Sequence, residues 1–124
     1  MSTFLGLFRN ASDVETHTAG ETLFDVGTPA THMYVIRRGT LTIRADGVTI
    51  ERVTEGGIVG EMALVDDGPR SATVVAETDC ELVPVDQKRF LFLVQQTPFF
   101  ALEIMRTMVA RLRAMNQRAA NARS

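Results

Sequence analysis

Between Glu21 and Asp86 apolar residues come in short runs that alternate with polar ones and stop at turn residues. Leu23 to Val26 runs into Gly27-Thr28-Pro29, and Met33 to Arg37 (MYVIR) halts at Gly39. The stretch LTIRADGVTIERV has two alternating arms, with Leu41 and Ile43 on one and Val48 and Ile50 on the other, around Asp46-Gly47. That pair between alternating arms predicts a two-residue hairpin. Further strands are expected at Ser71 to Ala76 and Glu81 to Val85, separated by turns around Gly56-Gly57 and Thr78-Asp79. Many short strands at this spacing imply a sandwich, barrel or jelly roll.

After Asp86 the period lengthens to that of a helix. Asp86 can cap a short helix through Phe90, Leu91 and Val94, and Thr97-Pro98 can cap and open a second. In the second, Ala101, Met105, Met108, Leu112, Met115 and Ala119 recur at intervals of four and three, a heptad seam. Such a stripe packs on its own domain or pairs with a second copy, so a homodimer through residues 101–119 is one expectation. Phe4 to Ser12 can add one short helix before the first strand. The pattern shows no repeat and no linker. It reads as a single domain over 1–124, mostly β with C-terminal helices (α+β), with strands over about 19–86 and helices over about 87–119.

Composition narrows the function classes. At 124 residues and 45% hydrophobic, the chain suffices for one real core. A net charge of -2 and a pI near 5.6 give no reason to expect a nucleic-acid partner. Arg106, Arg111, Arg113, Arg118 and Arg123 crowd the C-terminal end with no acid after Glu103, an arrangement that the dipole of a helix C-terminus favours. Cys80 stands alone, so no intrachain disulfide forms, and a small buried strand residue is its expected role. The apolar run Phe4 to Phe8 is shorter than a signal core, and nothing approaches the ~20 apolar residues of a membrane span. A cytoplasmic location is expected.

One stretch asks for chemistry. GEMALVDDGPRSATV, residues 60–74, holds more than a turn needs, since Asp66, Asp67, Gly68 and Pro69 would turn without help. Gly60 followed by a helical turn through Met62, Ala63 and Leu64 would aim free backbone N–H groups at an anion. Arg70 adds a full charge and a planar donor fork suited to phosphate. Glu61 beside a phosphate site fits a ligand that also offers hydroxyls, which suggests a sugar phosphate or a nucleotide of low charge. No P-loop lysine or Mg²⁺ ligand pair accompanies it. The plainer alternative is a surface ion pair between Glu61 and Arg70, worth at most ~1 kcal/mol. A metal-binding cupin would need closely spaced histidines, and His17 and His32 are far apart, each expected as a solvated or locally bonded loop residue, so no metal is expected. Asp66 and Asp67 have no second catalytic group near them in the sequence, so no enzyme is expected.

The string Gly60-Glu61-Met62-Ala63-Leu64, a turn, then Pro69-Arg70-Ser71-Ala72-Thr73 resembles the phosphate-binding cassette of the cyclic nucleotide-binding domain family. Ala19 to Phe24, Gly27, Met33 to Ile36, Gly39 to Leu41 and Arg111-Leu112-Arg113 extend the likeness over roughly residues 19 to 116. The resemblance implies an eight-stranded jelly-roll β-barrel followed by a short helix and a long C-terminal lid helix. It implies cAMP or cGMP as ligand: at the position of Ser71 an alanine goes with cAMP and a threonine with cGMP, and serine is intermediate but also occurs in bacterial cAMP receptors of the family, so cAMP is favoured. Glu61 would take the ribose 2′-hydroxyl. Arg70 and the amides of Ser71 and Ala72 would hold the cyclic phosphate, Gly60 would admit the sugar, Met62 and Ala63 complete the cassette, and Arg111 would cap the base. Gly57 and Val59 depart from the Asp and Phe that the family often carries. No DNA-reading, channel or kinase-inhibitor segment is expected after the long helix. The chain is therefore expected to be a non-enzymatic sensor with an unknown protein effector. Two other expectations stand beside it: a dimerisation or interaction module of the same fold without ligand control, and a DNA-binding regulator completed by a partner.

Overall fold

The Asp46-Gly47 pair turns the chain as its side chains demand. A two-residue turn matched to strand twist needs positive φ at both central positions, and these are 54° at Asp46 and 76° at Gly47. The strands on either side, β4 (Leu41–Ala45) and β5 (Val48–Val53), pair from Leu41 opposite Val53 to Ala45 opposite Val48. A computed structural model of the chain describes residues 6, 8, 10–66 and 68–122. Phe4, Leu5, Leu7 and Arg9 of the short helix expected over Phe4 to Ser12 lie outside the described residues. So does Asp67.

Six more strands complete the barrel: β1 (Glu15–His17), β2 (Thr22–Phe24), β3 (His32–Arg38), β6 (Ile58–Val59), β7 (Thr73–Ala76) and β8 (Cys80–Asp86). They form two antiparallel four-stranded sheets, ordered β1-β8-β3-β6 and β2-β7-β4-β5. The expected jelly roll is present. Ile36, Val59, Cys80 and Leu82 of one sheet meet Leu41, Ile43, Val53, Val74 and Ala76 of the other in one buried cluster. In β3 neighbouring residues of both parities, Met33, Val35 and Ile36, are buried, so this strand is covered on both faces. Cys80 sits in the core as expected, its thiol donating toward the carbonyls of Thr78 (3.1 Å) and Thr40 (3.4 Å), and burial pushes its pKa up.

β1 and β6 escape the hydrophobic pattern. Glu-Thr-His contains no apolar residue, and β6 is only two residues long. Each is a strand because a long neighbour supplies hydrogen bonds, β8 for β1 and β3 for β6. His17 and His32 accordingly lie on strands and not in loops. His17 ring nitrogens lie 3.2 Å from Glu15 and 2.9 Å from Glu21, and His32 Nδ1 lies 2.7 Å from the Thr31 hydroxyl.

The chain divides into two compact units, Met1–Phe90 and Leu91–Ser124. Helix α1 (Gln87–Gln96) begins in the first, and Asp86 caps it by accepting from the Arg89 amide at 2.8 Å. Helix α2 (Pro98–Ala122) opens at Pro98, with the Thr97 carbonyl accepting from the Phe100 amide at 2.8 Å. The expected seam is not the buried stripe of α2. Phe100 and Ile104 are buried, while Met105, Leu112 and Met115 are 56%, 56% and 55% exposed. Phe99, Leu102 and Val109 are exposed too, so α2 carries apolar residues around much of its circumference and a period alone cannot choose its face. None of the helices among the described residues is long and apolar enough to cross a membrane.

Candidate functional site

Gly60 starts the cassette in the left-handed conformation, at φ 75°. A Cβ there would lie 2.5 Å from Nη1 of Arg70, so the residue is glycine for room as well as for φ. The helical turn expected there is a single 3-10 turn, Glu61–Leu64, closed by the Ala63 amide on the Gly60 carbonyl at 3.2 Å. Glu61 is buried at 5% exposure and Leu64 at 4%, whereas Met62 is half in solvent. An Asx turn follows, the Asp66 carboxylate accepting from the Gly68 amide at 3.2 Å.

Arg70 is fixed by its backbone. Its amide donates to the Thr28 carbonyl and its carbonyl accepts from the Gly27 amide, both at 2.8 Å, which clamps it to the turn after β2. Its side chain is 8% exposed, and Nε and Nη1 have no hydrogen-bond partner among the described residues. Burial pulls the guanidinium pKa below its usual value, with Tyr34 opposing the shift. The cation lies over the ring of Phe24, Cζ 3.9 Å from its centroid. Phe24 stacks in turn on Tyr34 at 6.4 Å, and Tyr34 on His32 at 6.5 Å. Burial raises the Tyr34 pKa, Glu15 adds to the rise and Arg70 works against it.

Gly60, Glu61, Met62, Ala63, Arg70, Ser71 and Ala72 are thus drawn into one cassette between β6 and β7. Ser71 is exposed, its hydroxyl 3.8 Å from the Met62 sulfur, and Ala72 is partly buried against the core. Arg111 is partly buried on α2 and belongs to the second unit. Phe24 was not singled out from the sequence. Its only signal was its position, one residue before Asp25 in the strand that leads to Gly27.

A buried arginine with Nε and Nη1 unpaired among the described residues, beside a glycine that leaves it room, has donors left to offer an anion. Residues 14–97 match the family described as the cyclic nucleotide-binding domain. The chain belongs to that family. Among curated proteins it is 30% identical over 78 residues to the cGMP-dependent protein kinase egl-4 of Caenorhabditis briggsae, an alignment covering 63% of this chain and 10% of that one. It is 28% identical over 104 residues to the potassium/sodium hyperpolarization-activated cyclic nucleotide-gated channel 3 of Mus musculus, covering 84% of this chain and 13% of that one. The chain thus spans about a tenth of the length of these relatives. Among solved structures, the Catabolite Activator Protein of Thermus thermophilus superposes with TM-score 0.78 at 23% identity, over 94% of this chain and 62% of that one. The fold is that of a cyclic nucleotide-binding regulatory domain.

Proposed function

We propose that this chain is a non-enzymatic receiver of a cyclic nucleotide, held by the phosphate on Arg70 and by the ribose on Glu61. The observation that carries the reading is Arg70, buried beside Gly60 with Nε and Nη1 unpaired among the described residues. A buried cation without an acceptor is costly, and a ligand phosphate supplies the acceptor at that place. In this reading the amides of Ser71 and Ala72 share the cyclic phosphate, and Met62 and Ala63 shape the turn that presents Glu61.

The ligand proposed is cAMP ahead of cGMP. Ser71 lacks the β-methyl that restricts a threonine side chain, so its hydroxyl is held less firmly for a guanine amino group than a threonine's would be. Arg111 of α2 is the proposed cap on the base, since a guanidinium stacks on a purine face for about 1 kcal/mol or more once desolvated. Calorimetric titration with both nucleotides tests the reading. Saturable binding of either supports it, with cAMP the tighter, and binding of neither overturns it. Hydrogen exchange at residues 108–116 is expected to slow when nucleotide is added if α2 acts as a lid.

A second reading is favoured by one observation, the exposure of Met105, Leu112 and Met115 along α2. We propose that this seam pairs with a second copy. A mass measurement by light scattering checks it: a monomer at all concentrations tested removes the dimer.

A further inference from the structure

Among the described residues Arg70 has no carboxylate paired with it, and its guanidinium lies over a ring. Cζ stands 3.9 Å from the Phe24 centroid, within the ~6 Å over which a cation is drawn to an aromatic face. Phe24 comes from β2 and Tyr34 from β3, so the stack behind the cation joins one sheet to the other. The main chain of Arg70 is tied to Gly27 and Thr28, three and four residues beyond Phe24. One short segment of chain therefore holds both the backbone and the head of Arg70.

We infer that Phe24 is a positioning residue of the anion site, holding the Arg70 guanidinium through its face while leaving its in-plane donors and its full charge for the ligand. This rests on the reading of Arg70 as the phosphate partner. A carboxylate in the same place would fix the side chain as firmly, but it would occupy N–H donors and cancel the charge. A ring attracts the cation by its quadrupole and neutralises nothing. The idle Nε and Nη1 are what such a support leaves behind. The ring also keeps the long side chain in one orientation before a ligand arrives, which lowers the ordering cost of binding.

The test uses the full chain and cAMP. Phe24→Leu keeps apolar volume and removes the quadrupole, and affinity is expected to fall roughly tenfold, while Phe24→Tyr stays within about threefold of wild type. Because Phe24→Leu can disturb the barrel, a second series replaces Phe24 with mono-, di- and trifluorophenylalanine, which keep the shape and drain the ring face. Affinity is expected to fall stepwise with fluorination, which a purely space-filling role would not produce. Equal affinity across the fluorinated series, or Phe24→Leu within twofold of wild type, overturns the inference. A readout without nucleotide separates this from the proposed function. In the ligand-free protein the Arg70 Nε–H proton is expected to be shifted upfield by the ring, and the shift should vanish in Phe24→Leu. If wild type binds neither cAMP nor cGMP but shows that shift, the ring holds the arginine and the proposed ligand is wrong. If the shift is absent, the positioning role is wrong whatever binds.

Discussion

Arg37 and Arg70 both belong to the barrel and differ in what surrounds them. Arg37 donates to Glu81 from Nε at 3.1 Å and from Nη2 at 2.9 Å, and from Nη1 to the Ala11 carbonyl at 3.1 Å. Around it the other charges are matched too: Arg38 lies 3.5 Å from Glu81, His17 sits between Glu15 and Glu21, and Asp79 accepts from the Ala19 amide at 2.9 Å. This region opens into a cleft of about 630 Å³, lined by His17, Arg38, Asp79 and Glu81 among others. Arg70 is more deeply buried, faces a ring and, among the described residues, leaves Nε and Nη1 unmatched. The contrast separates room from need. Among the described residues the roomy cleft carries charges that pair with one another, while the tight cassette carries a buried charge whose Nε and Nη1 an added anion would complete.

The sharpest way to break the comparison is to remove each arginine. Arg70→Ala deprives a desolvated phosphate of its partner, which costs about 3–5 kcal/mol, or hundreds-fold and more in cyclic nucleotide affinity. Arg37→Ala should leave affinity within about twofold and lower the melting temperature. Titration calorimetry on both variants decides. An Arg70→Ala protein binding within threefold of wild type would remove Arg70 from the phosphate.

The two regions were also unequally legible in the sequence. The cassette was readable because its residues are neighbours in the chain, so Gly60, Glu61 and Arg70 could be weighed together and a helical turn expected between them. Gly68-Pro69 and the Asp66 Asx turn close the segment after one 3-10 turn of four residues. The Arg37–Glu81 and His17–Glu21 pairings were invisible as chemistry, since β1 has no apolar signature and Glu81 meets Arg37 across a distance of 44 residues. Phe24 under Arg70 was hidden for the same reason, being placed by sheet register and not by spacing. The heptad on α2 did not tell packing on its own domain from pairing with a second copy, and within the chain Phe100 and Ile104, off the seam, are the residues that bury.

Glu61→Gln is the next step down. It keeps the shape and removes a charge-assisted hydrogen bond to the proposed ribose hydroxyl, worth on the order of 1.5–3 kcal/mol. Affinity should fall about ten- to a hundredfold, and a 2′-deoxy analogue should bind wild type and variant nearly alike. If the analogue still separates the two proteins by tenfold, Glu61 acts on something other than the 2′-hydroxyl.

Ser71→Ala should move affinity little and selectivity more. Removing the hydroxyl takes away the one side-chain acceptor proposed to meet a guanine amino group, so the ratio of cAMP to cGMP affinity should rise several-fold, the size of a single neutral hydrogen bond. Paired titrations with both nucleotides measure it, and an unchanged ratio excludes the hydroxyl from base selection.

The smallest expected effect lies wholly in the satisfied region and concerns pH. Hydrogen bonding from Arg37 holds the Glu81 carboxyl below its ordinary value, the charges of Arg37 and Arg38 help, and partial desolvation opposes them. A carboxyl whose folded pKa is depressed binds protons less readily than the unfolded chain does. The stability it confers is therefore complete above the ordinary carboxylate range and is lost as pH falls through the lower folded pKa. Glu81→Gln cannot titrate, so its melting temperature should fall less than that of wild type between pH 6 and pH 3. Cyclic nucleotide affinity at neutral pH should be unaffected, since the pair is already closed on itself. Two results would collapse the contrast between the regions: an acid profile that Glu81→Gln leaves unaltered, showing that the pairing contributes nothing, or a several-fold loss of nucleotide affinity in that variant, showing that the satisfied edge takes part in binding.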